Sequence, residues 1–201
     1  MTLELETPYG PGRAFLHQVD QPVAAVVLGH GAGGGVSATD LQAATRAANS
    51  LGLVVALFEQ PYRVAGRRSP APVKQLDACW LAAMDQLRTS ALLGLPLIVG
   101  GRSSGARVAC RTAEAVGAVA VVCLAFPLHP PGRGDDPTKS RIAELDAVRL
   151  PVLVVQGDRD AFGMPPEGHD RTVVKVRGDH SLRDPAAVSS AVASWLGDRI
   201  I

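Results

Sequence analysis

Leu95-Pro96-Leu97-Ile98-Val99-Gly100-Gly101-Arg102-Ser103-Ser104-Gly105-Ala106-Arg107-Val108-Ala109-Cys110 passes from an apolar, strand-like stretch through a turn into helix-like sequence. Within it, Gly101-Arg102-Ser103-Ser104-Gly105 has the G-x-S-x-G form of a nucleophile elbow. Such a turn is sharp and strained and leaves the serine oxygen exposed. Small residues two before and two after it let neighbouring backbone pass close. Only Ser103 is in register, since Ser104 has no glycine two residues before it. The pentapeptide is short, so its weight comes from the strand-turn-helix setting.

Three further segments follow the same design. Ala24-Ala25-Val26-Val27-Leu28 runs into Gly29-His30-Gly31-Ala32-Gly33-Gly34-Gly35. Pro151-Val152-Leu153-Val154-Val155 runs into Gln156-Gly157-Asp158-Arg159-Asp160, and Thr172-Val173-Val174-Lys175-Val176 leads to Gly178-Asp179-His180. Serine, then acid, then histidine is an order unlike that of chymotrypsin or subtilisin. Each candidate lies just past a predicted strand, where open α/β sheets place their sites.

Working outward, the rest of the chain alternates strand and helix. Leu3 to Glu6 and Arg13 to Gln18 predict a hairpin at the sheet edge, around the turn region Pro8 to Gly12. Val23 to Leu28, Leu53 to Phe58 and Val119 to Leu124 are continuous apolar runs, as strands buried on both faces require. Asp40 to Ser50 has helical spacing, with Thr39 or Asp40 as its cap and Gly52 as its stop. Arg63 to Pro72 reads as a polar loop, and Val73 to Thr89 as the longest helix, with Leu76, Trp80, Ala83 and Leu87 on one face. Ser140 to Val148 and Ala186 to Leu196 predict two more helices. The pattern implies an α/β fold, a mostly parallel, doubly wound sheet with right-handed crossovers. No linker divides residues 1–201 and no stretch is long enough for a separate cap, so one minimal domain with a shallow or loop-covered site is expected.

Composition bounds the function. At 201 residues, 47% hydrophobic and 19% charged, the chain suits one well-filled globular core. A formal charge of +1 offers no general attraction to nucleic acid or an anionic membrane, and neither is expected as a partner. Aromatics at 4% give no sign of a base-stacking platform. Met1 to Glu6 has neither the basic start nor the apolar stretch of a secretory signal, and no run approaches the ~18 apolar residues of a membrane span. Cys79, Cys110 and Cys123 are odd in number and far apart in sequence, which points to buried reduced thiols and a cytoplasmic setting. No zinc spacing and no repeat is present.

Each candidate has a chemical role. Ser103 needs a base to take its proton as it attacks, and His180 is the best placed. A carboxylate must then hold the imidazole in the right tautomer. Asp160 is favoured, since a loop three residues past Gly157 can turn its side chain toward the histidine. Asp158 is nearer the strand end and suits capping or bracing of the turn, and Asp179, beside His180, would point away from it. The N–H groups of Ser104 and of Ala32, with Gly31 next in line, are the expected oxyanion donors. His30, Gly31, Arg63 and His129 are expected to border the substrate. His30 would also brace its own loop, and His129 would line the pocket or simply pack. Arg63, Arg67 and Arg68 form either a solvated loop face or an attractor for an acidic substrate. The glycine loop lacks the G-x-x-x-x-G-K-[ST] pattern of a phosphate cradle. His17 and His169 have no supporting context.

Together these residues resemble the compact α/β-hydrolases of the dienelactone-hydrolase-like superfamily, closest to the branch of testis-expressed hydrolase-like proteins and the NSL chromatin-complex subunit. The stretches that carry the resemblance are His30 to Gly35, Phe58 to Arg63, Gly100 to Val108, Phe126 to Arg133, Gln156 to Gly163 and Asp179 to Leu182. The resemblance implies an α/β-hydrolase fold with Ser103 as nucleophile, Asp160 as acid and His180 as base. Dienelactone hydrolases proper carry cysteine where this chain has Ser103, which argues against that particular activity. Two functions follow as expectations. One is a serine hydrolase of a small acyl ester or thioester, with an acyl-enzyme intermediate and no metal or organic cofactor. The other is a hydrolase-fold binding or scaffold protein, the role the NSL subunit exemplifies.

Overall fold

A computed structural model of the chain describes residues 1–133 and 136–200. Its elements are, in order, β1 (Thr2–Leu5), β2 (Gly12–His17), β3 (Ala24–Gly29), α1 (Thr39–Ser50), β4 (Leu53–Glu59), α2 (Pro61–Val64) and α3 (Val73–Arg88). There follow β5 (Leu97–Arg102), α4 (Ser104–Thr112), β6 (Ala120–Leu124), α5 (Ile142–Asp146), β7 (Val152–Gly157), β8 (Arg171–Val176) and α6 (Pro185–Ile200).

The apolar runs become strands because both of their faces are covered. In β3, Ala25 and Val27 face one core while Ala24, Val26 and Leu28 face the other. The same alternation divides β4, with Val54, Ala56 and Phe58 against Leu53, Val55 and Leu57. The first core is closed by α3, α4 and α5, the second by α1 and α6. This is the α/β-hydrolase fold, with no separate cap domain among the described residues. The eight strands lie in the order β1-β2-β4-β3-β5-β6-β7-β8. The hairpin β1-β2 is antiparallel and β2 joins β4 antiparallel; the six strands from β4 to β8 along the sheet are mutually parallel.

That order positions the site. From β3 the chain moves one way to β4, then returns past β3 to β5 and continues in the other direction. The crossover α1 covers one face and α3 the other, so the crevice opens beyond the carboxyl ends of β3 and β5. Gly29-His30 ends one of these strands and Arg102-Ser103 the other. The elbow helix α4 is held from the side by a charged network. Arg107 donates to both Glu144 oxygens at 2.8 and 2.6 Å, and Arg111 to both Asp77 oxygens at 2.9 and 2.6 Å. Burial alone would lower the Arg111 pKa, but Asp77 and Glu144 raise it overall.

Two sequence expectations are corrected. Residues 61–64, expected partly as loop, form the short helix α2, because Pro61 at its start has the preset φ a first turn needs. Neither Thr39 nor Asp40 caps α1. Ala38 holds that position without a side-chain hydrogen bond, and Asp40 is committed to an ion pair with Arg102.

Candidate active site

Ser103 sits at φ 53° and ψ −109°, a left-handed conformation that a β-carbon disfavours. Such a residue persists only where its surroundings over-determine it. Its N–H donates to the Leu124 carbonyl of β6 at 2.9 Å, and its own carbonyl accepts from the Arg107 N–H of α4 at 3.2 Å. Close backbone packing does the rest. A β-carbon on Gly105 would run into the Gly29 carbonyl and lie 2.9 Å from that of His30. Glycine two residues after the serine therefore lets α4 begin directly against the end of β3.

Three loops bring the candidate acid, base and nucleophile, Asp160, His180 and Ser103, together. The Ser103 hydroxyl donates to His180 Nε2 at 2.9 Å, and His180 Nδ1–H donates to Asp160 Oδ2 at 2.8 Å. The Asp160 side chain is fully buried and that of His180 is 19% exposed. Asp160 Oδ1 accepts the Phe162 N–H at 2.8 Å, and Oδ2 also accepts from Gln156 Nε2 at 2.8 Å. The Phe162 ring lies on the imidazole, with centroids 4.2 Å apart and planes 35° apart. Asp158 instead accepts the Gly178 N–H at 2.8 Å and braces the turn before the histidine. Asp179 is exposed and accepts the Ser181 N–H, which lowers its pKa.

The glycine loop is held by His30. Its Nε2 accepts the Gln60 N–H at 3.0 Å, so the proton is on Nδ1, which donates to the Gly31 carbonyl at 2.8 Å. Burial lowers the pKa of His30, the hydrogen bond to Gly31 opposes this, and the charge of Arg63 adds to it. Tyr62 packs edge-on to His30 and donates to the Ala32 carbonyl at 2.7 Å. Burial pushes the Tyr62 hydroxyl up to about 12, against a lowering pull from Arg63. A β-carbon on Gly31 would lie 3.5 Å from that of Ser103. The N–H groups of Ala32 and Ser104 have no hydrogen-bond partner among the described residues.

The remaining candidates divide. Arg63 stands close enough for its charge to act on His30 and Tyr62, with Nη1 donating to the Arg67 carbonyl at 3.1 Å. Arg67 and Arg68 are exposed. His129 is half-buried behind the acid's loop, its N–H donating to the Phe162 carbonyl at 2.9 Å. His17 lies on β2, and His169 pairs with Asp170 at the surface. Gln156, Phe162 and Tyr62 lie in stretches that carry the resemblance, but sequence reasoning assigns them no role of their own. Gln156 carried a usable signal, a polar residue closing an otherwise apolar strand, which has to find partners when buried. Among the described residues no group of three or more His, Cys, Asp or Glu is arranged to hold a metal ion. No helix among the described residues is long and apolar enough to cross a membrane.

The fold has counterparts among solved structures. Est1E from Butyrivibrio proteoclasticus superposes with a TM-score of 0.80 at 15% identity, covering 99% of this chain and 98% of that one. A lidless α/β serine hydrolase from Xanthomonas campestris does so at 0.72 and 22% identity, covering 97% and 94%. Dienelactone hydrolase from Anabaena variabilis gives 0.72 at 17% identity, covering 98% and 94%. At such identities the likeness is one of fold. No curated protein sequence matches the chain. Residues 22–191, a span that contains Ser103, Asp160 and His180, match the family described as alpha/beta hydrolase domain, and the chain belongs to that family.

Proposed function

We propose that the protein is a serine hydrolase that cleaves a small acyl ester or thioester, of carboxylesterase or thioesterase type. The observation that carries this is the hydrogen-bonded chain from Ser103 through His180 to the buried Asp160, beginning at a residue held in a strained turn. Ser103 Oγ attacks the acyl carbon as its proton passes to His180 Nε2. The N–H groups of Ala32 and Ser104, free of other partners among the described residues, receive the oxyanion. Collapse expels the alcohol or thiol, which takes the proton from His180. Water then attacks the acyl-enzyme, gives its proton to His180 and releases the acid, restoring Ser103. Asp160 holds the imidazole tautomer and balances the imidazolium charge.

The absence of a cap domain among the described residues favours small or extended acyl groups over long buried ones. Relatives named as a serine hydrolase and a dienelactone hydrolase agree with acyl chemistry. The motif stretches that resemble the testis-expressed and NSL-subunit branch support placement beside it. Three free, buried cysteines support a reducing cytoplasmic setting.

The test is labelling of the folded protein by a fluorophosphonate probe, read by intact mass beside Ser103→Ala and His180→Ala, with turnover of short-chain p-nitrophenyl esters in parallel. Stoichiometric labelling that both variants lose is the expected result. Folded wild-type protein that neither labels nor turns over overturns the proposal in favour of a scaffold role.

A further inference from the structure

We propose that Arg102 is a positioning residue of this site, its guanidinium tying the elbow to the base's loop and the start of α1 while it fills the space beside the glycine loop. The proposal rests on the hydrolase reading. Arg102 closes β5 immediately before Ser103. Its Nη2 donates to the His180 carbonyl at 3.0 Å. Its Nε stands 2.7 Å from Asp40 Oδ2, in the first turn of α1. Its Nη1 fills the space beside Gly31, 2.9 Å from where a β-carbon there would lie.

A guanidinium is planar and its three nitrogens keep fixed relative positions, so a displacement at one contact is carried to the others. Asp40 is the anchor. Its side chain is 1% exposed, against 18% for Arg102. Burial raises the Asp40 pKa, and the neighbouring Arg102 charge offsets only part of that rise. The backbone of the base is thus held by one rigid cation, which lies beside Gly31 and is set against a buried carboxylate. Glycine at position 31 then has a second cause besides access to the acyl group, because any side chain would displace Nη1.

The experiment compares wild type, Arg102→Ala, Arg102→Lys and the charge-neutral pair Asp40→Asn with Arg102→Gln. Folding is checked by thermal unfolding, and the rates are fluorophosphonate labelling and hydrolysis of p-nitrophenyl acetate, expressed per folded molecule. Arg102→Ala is expected to label about 10- to 100-fold more slowly, the penalty of a small misplacement, with KM unchanged within about twofold. Guanidinium ion at millimolar concentration restores much of the rate and ammonium does not. Arg102→Lys stays slow, since a single ammonium cannot serve both the Asp40 carboxylate and the His180 carbonyl. The neutral pair folds yet stays slow, which separates positioning from the removal of a buried charge. If Arg102→Ala or the neutral pair labels at the wild-type rate per folded molecule, the positioning role is wrong while the hydrolase stands. If folded wild type does not label, the hydrolase reading fails and this proposal falls with it.

Discussion

The middles of the strands and their carboxyl ends are built on opposite terms. Midway along β3, β4 and β7, successive residues such as Val26, Val27, Val55, Ala56, Val154 and Val155 are apolar and buried. At the carboxyl ends lie three of the buried polar residues, His30, Gln60 and Gln156, with Asp40 in the first turn of α1. Thr45 and Thr112, buried elsewhere, merely donate to the carbonyls of Leu41 and Val108 within their own helices. The strained Ser103 and the close approach of Gly29 to Gly105 are also at the carboxyl rim. The middles supply stability through burial, and that surplus tolerates strain and buried polarity at the rim.

The sharpest way to break this contrast is to relax the rim. Ser103→Gly should abolish activity, a loss on the order of 10⁵- to 10⁶-fold, while raising stability by about 1 kcal/mol as the strained φ becomes allowed. The opposite pairing comes from a strand middle. Leu57→Ala is expected to destabilise by roughly 2–5 kcal/mol, with kcat per folded molecule little changed. Denaturant melts beside ester turnover would show both. If Ser103→Gly destabilised and Leu57→Ala cost activity first, strain and support would not be divided in this way.

Next in size is the contrast between two carboxylates two residues apart. Asp160 holds the imidazole, whereas Asp158 braces Gly178. Asp160→Asn should lower kcat by about 10⁴-fold through the wrong tautomer, and Asp158→Asn by no more than about tenfold. Equal losses would mean that the turn, rather than the tautomer, governs the histidine.

The smallest expected effect is on pH dependence. Burial lowers the His30 pKa, so the folded state keeps the ring neutral while the unfolded chain begins to protonate below about 6.5. The unfolded state then binds more protons, and His30 makes stability fall as the pH drops from about 6.5 toward its folded value. His30→Gln should flatten that part of the stability profile relative to wild type. His17, whose pKa is also lowered, chiefly by burial, titrates in the same direction and is present in both proteins, so the difference isolates His30. A profile as steep in His30→Gln as in wild type would show that the ring is not held neutral.

Much of this was legible from the chain because the signals are local. Continuous apolar runs identify strands covered on both faces, and a glycine two residues either side of Ser103 marks a turn packed against other backbone. Asp160 could be preferred to Asp158 because the distance past a strand end already limits where a side chain can turn. Asp160 lies three residues past Gly157, far enough for the loop to come back toward His180, from which it accepts a hydrogen bond. Arg102 with Asp40, Gln156 beneath Asp160 and Phe162 over His180 were not legible in this way. Each joins ordinary residue types through the folded arrangement, the first and last from segments far apart in the chain, and no periodicity records such a pairing. Local sequence therefore determined the strands, the crossovers and the order of Ser103, Asp160 and His180, since these follow from burial patterns and turn geometry within a few residues. The tertiary structure alone decided which groups hold them in place, because a buried charge or amide chooses its partner only once water has been excluded around it.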